Sequence, residues 1–317
     1  MTAPILSGDN PAAIRAAVSL LRDGGLVALP TETVYGLAAD ATSGAAVAAL
    51  YAAKGRPKFN PLISHVTGLE MAESLARFNP LSCKLAEAFW PGPLTLVLPR
   101  TPDCPISELA GAGLETLAVR APAHPVAQAL IKAFGGPLVA PSANPSGGVS
   151  PTQARHVAEG LGEHIGMILD GGPCKIGVES TVIGFDGDKP LLLRKGGLAR
   201  ENIEAITGPL AVPDAASPKA SPGMLKSHYA PRARLRLQAV SPEQGEAFLG
   251  FSTSKNADLN LSPDGNLLEA AANLFAFLRQ LDASGVSGIA VAPIPDEGLG
   301  EAINDRLQRA AAPGDIA

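Results

Sequence analysis

The chain has 317 residues, 46% of them apolar and 17% charged, which supplies a substantial core and excludes an intrinsically disordered chain. Its formal charge is −5, and neither residues 1–208 (16 basic, 18 acidic) nor the remainder (9 and 12) has the basic excess of a duplex-binding protein. No apolar run approaches the ~18 residues of a membrane helix, the start MTAPILSGDN lacks a signal-peptide pattern, and Cys83, Cys104 and Cys174 form no CxxC pair. A soluble, cytoplasmic protein is predicted, with free thiols, no zinc site and no membrane or stable nucleic-acid partner.

In chain order, Asn10 and Pro11 open a helix whose Ile14, Val18 and Leu21 share one face until Gly24. Leu26–Leu29 is a strand, and Ser43 caps an alanine-rich helix running to Lys54. Strands follow at Leu62–Val66, Leu94–Leu98, Leu117–Arg120, Leu138–Ala140, Met167–Leu169, Thr181–Ile183 and Leu191–Arg194. Helices are expected at Leu69–Phe78, Leu81–Phe89, Pro125–Phe134, Thr152–Gly160 and Arg200–Ile206. This mixture predicts an α/β domain over residues 1–208 with a twisted, mixed sheet.

Five prolines between Pro209 and Pro231 break every apolar period, so residues 209–231 read as a stiff linker, whose end also carries Met224, Leu225, His228 and Tyr229. Beyond it, Leu235, Leu237 and Ala239 alternate as in a strand, and Pro242–Leu249 is expected to be a helix. Asn266–Leu281 is an amphipathic helix, Gly288–Ala292 a strand and Leu299–Ala310 a last helix. The expected β-α-β-α-β-α order over residues 232–317 predicts a small Rossmann-like domain; it lacks GxGxxG, so nothing there supports a nucleotide site.

Polar residues gather where strands end, the usual ligand edge of an open α/β sheet. PTETVYGL at 30–37 places Thr31, Glu32, Thr33 and Tyr35 after a strand. In KGRPKFNPLISH at 54–65, Lys54 and Arg56 flank Gly55 while Pro57 and Pro61 stiffen the segment. Such cations at a helix end are often a solvated terminus, but held in place they favour a polyphosphate or carboxylate. VAPSANPSGGVSPT at 139–152 is a glycine-rich loop without a Walker A pattern, readable as an ordinary turn or an anion nest. Arg120 and Arg194 end apolar strands, so each should meet an anion, either a structural carboxylate or a substrate.

Taken in order, PTETVYGLAAD, KGRPKFNPLISHV, WPGPLTLVL, LAVRAPAHP, APSANPSG, GVESTVI, LLRKGG and SPGMLKSHYAP resemble the threonylcarbamoyl-AMP synthase family, with its YrdC-like domain, in the longer two-domain form. The resemblance implies that L-threonine, bicarbonate and ATP give threonylcarbamoyl-AMP, pyrophosphate and water in a concave, positively lined cavity. It further implies hand-over of the product to a tRNA threonylcarbamoyl-transferase complex. Carried over residue by residue, Thr33, His65, Arg120, Ala140 and Ser180 would hold threonine. Lys54, Arg56, Asn60, Thr116, Ser142, Asn144, Ser150, Arg194 and Tyr229 would contact ATP, with Lys54 and Arg56 catalytic. Mg²⁺ would be held mainly by the ATP phosphates, since few acidic residues cluster. His228 and Tyr229 would let the linker close as a lid, while Leu225 and Ser227 depart from the family pattern. A non-catalytic RNA-binding module and a carbamoyltransferase-type domain are the competing readings.

Overall fold

A computed structural model of the chain describes residues 2–57, 60–212 and 229–312. The first part contains β1 (Ile5–Ser7), α1 (Pro11–Arg22), β2 (Val27–Leu29), β3 (Gly36–Asp40), α2 (Gly44–Lys54), β4 (Ile63–His65), α3 (Leu69–Glu73) and α4 (Pro80–Phe89). It continues with β5 (Leu94–Pro99), α5 (Glu108–Gly111), β6 (Thr116–Arg120), α6 (Pro125–Phe134), β7 (Leu138–Val139), α7 (Ala154–Leu161), β8 (Met167–Asp170), β9 (Thr181–Asp186), β10 (Lys189–Arg194) and α8 (Arg200–Thr207). After the undescribed stretch come β11 (Arg234–Arg236), β12 (Glu246–Gly250), β13 (Leu259–Asn260), α9 (Leu267–Ala283), β14 (Gly288–Val291) and α10 (Gly300–Ala311).

The first ten strands form one mixed sheet in the order β1-β8-β2-β3-β7-β4-β6-β5-β9-β10. Helices α1, α2 and α4 start where the sequence supplies caps. Asn10 accepts from the Ala12 amide ahead of Pro11, and Ser43 accepts from the Ala46 amide. Asn79 and Ser82 close a reciprocal capping box on α4.

Strand alternation then sorts the side chains of β6. Leu117 and Val119 enter the main core with Leu96, Leu98 and Ile183, while Ala118 joins a separate small cluster with Ile63, Val97 and Val182 on the opposite face. Register fixes this: Ala118 lies opposite Val97 and Ile63, and Arg120 lies opposite His65. The face shared by Thr116, Ala118 and Arg120 is therefore the one on which a site can be built.

The second sheet, β11-β14-β12-β13, is wholly parallel. Its core draws on Phe248, Leu274, Phe275, Ile289 and Ile303, and also takes in Val34, Val149, Val178 and Tyr229, so the two sheets are joined by apolar contact.

Two expectations fail here. Pro242–Leu249 is not a helix: Glu246–Gly250 is a strand, with Ala247, Phe248 and Leu249 buried together. So short an apolar run fits a buried strand or a helix segment equally, and pairing with β14 and β13 decides it. The second unit consequently runs β-β-β-α-β-α. The helix expected over Leu69–Phe78 stops at Glu73, because Ala76 turns to bridge with Arg100. β1, β3, β13 and α5 were not anticipated; β3 is Gly36-Leu-Ala-Ala-Asp, rich in residues of low strand propensity. The linker expected at 209–231 lies mostly outside the described residues, including Met224, Leu225, Ser227 and His228.

Because Phe248 is fully buried in that corrected strand, Phe248→Ala is expected to cost about 3–5 kcal/mol in urea unfolding. A cost below about 1 kcal/mol would return the segment to the surface.

Candidate active site

Five segments meet at one end of the site-bearing face of the first sheet. The turn after β2 is tied by Thr31, whose hydroxyl donates to the Val34 carbonyl (2.6 Å) and pairs with the Thr33 hydroxyl (2.8 Å). Gly55 ends α2 in the left-handed conformation (φ 59°), a turn that a side chain would strain and that redirects the chain into Arg56. Arg56 donates to the Pro61 carbonyl at 3.3 Å. The other segments are the ends of β4 and β6, the loop after β7, and the strand ends around Ser180 and Arg194. Gly196 crosses so close to Ser180 that a Cβ would sit 2.3 Å from its backbone.

Together they line a hollow that opens to solvent. Its wall includes Thr33, His65, Arg120, Ala140 and Ser180 from the expected threonine set, and Arg56, Ser142, Arg194 and Tyr229 from the expected nucleotide set. Three guanidinium groups and one carboxylate, Glu179, thus face a common space.

The arginines do not stand bare. Arg120 forms a 2.7 Å ion pair with Glu32 through Nη2 and donates from Nε to the Gly92 carbonyl at 3.2 Å. The anion expected beside Arg120 is therefore a structural carboxylate, and Nη1 is the nitrogen that neither contact uses. Arg194 donates from Nε and Nη2 to the Ser180 carbonyl (3.1 and 2.9 Å) and from Nη2 to the Ser180 hydroxyl (3.1 Å). Burial is the main force that pushes its pKa down, to about 10, and Arg306 and Arg120 add to it.

His65 is buried, with Nδ1 3.1 Å from the Ile63 carbonyl. A carbonyl only accepts, so Nδ1 carries the proton and Nε2 is an acceptor. Burial, then the nearby Arg120, push His65 down to about 3, so the ring is neutral near pH 7.

Other expected residues stand behind the wall. Lys54, only 3% exposed, donates to the Ser142 carbonyl (2.5 Å) and to the Asn144 carbonyl. Burial and then Arg56 hold its pKa well below the usual lysine value. It was expected to face phosphate; here it is engaged with the main chain of the 140–152 loop. Asn144 likewise donates from Nδ2 to the Pro145 (2.7 Å) and Gly148 (2.8 Å) carbonyls. Ser150 donates to Glu179 Oε1 at 2.6 Å. Asn60 is buried and its carbonyl accepts from the Tyr51 hydroxyl.

Thr116 is not brought together with these residues. It begins β6, four residues or about 13 Å from Arg120 along the same face, and lines a second hollow with Val97, Pro99, Gly184, Leu191 and Phe78.

Sequence reasoning placed Glu32 and Glu179 in candidate segments without giving either a role, and missed Arg306. Arg120 and Arg194 called for an anion each, a structural carboxylate or a substrate; Glu32 answers for Arg120, whereas Glu179 pairs with Arg306. Arg306 had a different signal, a cation on the Ile303–Leu307–Ala310 stripe of an amphipathic helix, where the period calls for an apolar residue.

Burial opposes ionisation of Glu179, yet Arg306, Arg194 and the Ser150 hydroxyl hold its carboxyl down at about 2. Among the described residues no group of three or more His, Cys, Asp and Glu converges to hold a metal ion, and both carboxylates near the hollow are committed to arginines.

An α/β scaffold that packs several cations and a neutral histidine around one hollow is an enzyme architecture for anionic substrates. A family model described as "Telomere recombination", covering Sua5, YciO and YrdC proteins, matches residues 19–196, and one described as "Threonylcarbamoyl-AMP synthase, C-terminal domain" matches residues 198–312. The chain is 45% identical to the threonylcarbamoyl-AMP synthase of Bacillus subtilis, over 96% of this chain and 94% of that one. It is 43% identical to that of Pyrococcus abyssi, over 94% of each. The crystal structure of P. abyssi Sua5 complexed with L-threonine superposes with a TM-score of 0.87 at 41% identity, covering 95% of each chain. The chain belongs to the Sua5–YciO–YrdC family, in the form that carries the synthase C-terminal domain.

The buried histidines set an acid limit. His65 and His156 titrate near 3 and 4 when folded, mainly through burial, against an ordinary 6.5. Between those values the unfolded chain binds protons that the folded chain refuses. Their contribution to stability is complete above about pH 6.5 and is lost as pH falls toward the folded values. The thermal midpoint should stay level above about pH 7 and fall before ordinary carboxylates titrate. A His65→Asn/His156→Asn variant should lose most of that early fall; an equal slope would refute the cause.

Proposed function

We propose that this chain joins L-threonine, bicarbonate and ATP into threonylcarbamoyl-AMP, releasing pyrophosphate and water. The observation that carries the reading is the convergence of Arg56, Arg120 and Arg194 with Thr33, His65 and Ser180 on one hollow, in a chain alignable with such synthases over nearly its whole length. Neither an RNA-binding module nor a carbamoyltransferase is favoured by relatives of that kind.

The threonine carboxylate pairs with Arg120 Nη1, while Glu32 and the Gly92 carbonyl fix the plane of the guanidinium. His65 Nε2 accepts from the amino acid, and the Thr33 and Ser180 hydroxyls and the Ala140 backbone complete its pocket. The amine attacks the carbon of bicarbonate, which loses water to give a carbamate. A carbamate oxygen then attacks the α-phosphorus of ATP, and the bond to the β-phosphate oxygen breaks with release of pyrophosphate. Arg56 and Arg194 offset the charge that grows on the phosphoryl oxygens, and being held by carbonyls they need little reorganisation. Mg²⁺ enters as part of the Mg·ATP substrate, because the nearby carboxylates are already paired.

The nucleotide extends along the face of β6 from the arginines toward Thr116, over the apolar saddle of Ile63, Ala118, Val97 and Val182. Lys54 and Asn144 serve by bracing the loop that presents Ser142. Residues 1–208 form the catalytic unit and 232–317 a supporting domain, with 209–231 the linker between them. The product passes, in the cytoplasm, to a tRNA threonylcarbamoyl-transferase complex, without stable nucleic-acid binding by this chain.

Mass spectrometry of a mixture of threonine, bicarbonate and Mg·ATP is expected to find threonylcarbamoyl-AMP with stoichiometric pyrophosphate; absence of both refutes the proposal. Arg56→Ala is expected to lower turnover by about 10²–10³ with the unfolding midpoint retained. Near-normal turnover would remove Arg56 from the phosphate site.

A further inference from the structure

The second unit contributes a side chain that stands behind the wall of the site, against Glu179 and Tyr229. Arg306, on the buried face of α10, is 1% exposed and reaches out of its own unit. Its Nε donates to Glu179 Oε2 at 2.7 Å, its Nη2 to the Lys195 carbonyl at 3.0 Å, and its Nη1 pairs with Asp305 at 2.6 Å. Its guanidinium carbon lies 5.3 Å from the centroid of the Tyr229 ring, which stacks in turn on Phe275 of α9 (5.5 Å). The other oxygen of Glu179 accepts the Ser150 hydroxyl at 2.6 Å. A second arginine of the same unit, Arg279 on α9, donates to the carbonyl of Val149, one residue before Ser150.

We infer that Arg306 is a positioning residue for the nucleotide half of the site, acting through Glu179 and Tyr229 rather than on substrate. The inference rests on the reading of the hollow as the ATP site. A carboxylate in the wall of a space meant for a polyphosphate repels its ligand unless a fixed cation offsets it. Arg306 supplies that cation from behind, directs one Glu179 oxygen to itself and leaves the other for Ser150. It also holds the Lys195 carbonyl, next to Arg194, and supports Tyr229 from one side. None of its contacts reaches Arg120, His65 or Thr33, where threonine would sit. Its loss therefore acts on ATP and spares the amino acid.

The test is steady-state kinetics of the full chain, with pyrophosphate release as readout and thermal unfolding as a control. Arg306→Met is expected to raise the KM for ATP at least about tenfold while the KM for threonine moves less than about twofold. Adding Glu179→Gln, which keeps an acceptor for Ser150 but removes the exposed charge, is expected to bring the ATP KM back to within about threefold of the parent. A role confined to holding the two units together predicts no such recovery. If Arg306→Met does not fold, Arg306→Lys is read instead. Its ammonium keeps the charge but cannot span Glu179 and the Lys195 carbonyl as a fork, so ATP KM rises about threefold with threonine KM unmoved. An equal rise for both substrates, no recovery with Glu179→Gln, or an unmoved ATP KM overturns the inference. Arg194→Met separates the two levels of argument. If it weakens ATP binding while the Arg306 variants do not, the inference alone fails. If it leaves ATP affinity unchanged, the reading of the hollow fails and takes the inference with it.

Discussion

Like charges held close together in a partly dry space repel, and a protein that gathers arginines around one hollow must offset that repulsion before any ligand arrives. This chain does so in two ways. Carbonyl groups of Gly92, Pro61 and Ser180 accept from Arg120, Arg56 and Arg194, which restrains each guanidinium without cancelling its charge. Glu32 and Glu179 then cancel part of the charge, each tied to an arginine at 2.7 Å. The balance is specific to place: Glu32 stands beside Arg120, and Glu179 beside Ser150 and Arg194. A net excess of cations survives in a molecule whose total charge is −5.

Much of this was legible in the sequence, for identifiable reasons. Asn10 and Ser43 marked helix starts because capping is local chemistry between residues two or three apart. The strands that cross the core read clearly because their apolar runs are bounded by turns. What failed was non-local. Glu246–Gly250 is a strand because β14 and β13 pair with it, and β3 is a strand although Gly36, Ala38 and Ala39 disfavour one. The motifs likewise showed which residues gather but not which way they point. Lys54 and Arg56 are two residues apart in one motif. One supports a loop from beneath, and the other faces the space above it.

The same contrast explains the second unit. Read from its own sequence it has no nucleotide motif, and its sheet offers no reason to expect one. Its contribution is made through single side chains on α9 and α10 that end on the first unit's loops. Such contacts are invisible to motif reading, because they join residues far apart in sequence.

Strand β6 adds one further property. Thr116 and Arg120 sit on the same face because they are an even four positions apart, and the interval between the two hollows is set by the rise of an extended chain. The strand thus works as a gauge with fixed divisions. Side chains at its marks are exchangeable, but the count between them is not: one residue gained or lost would turn one end toward the interior while the other stayed outside. Divergence among chains built on this plan must therefore proceed by replacement along the gauge, with changes of length confined to the loops beyond its ends.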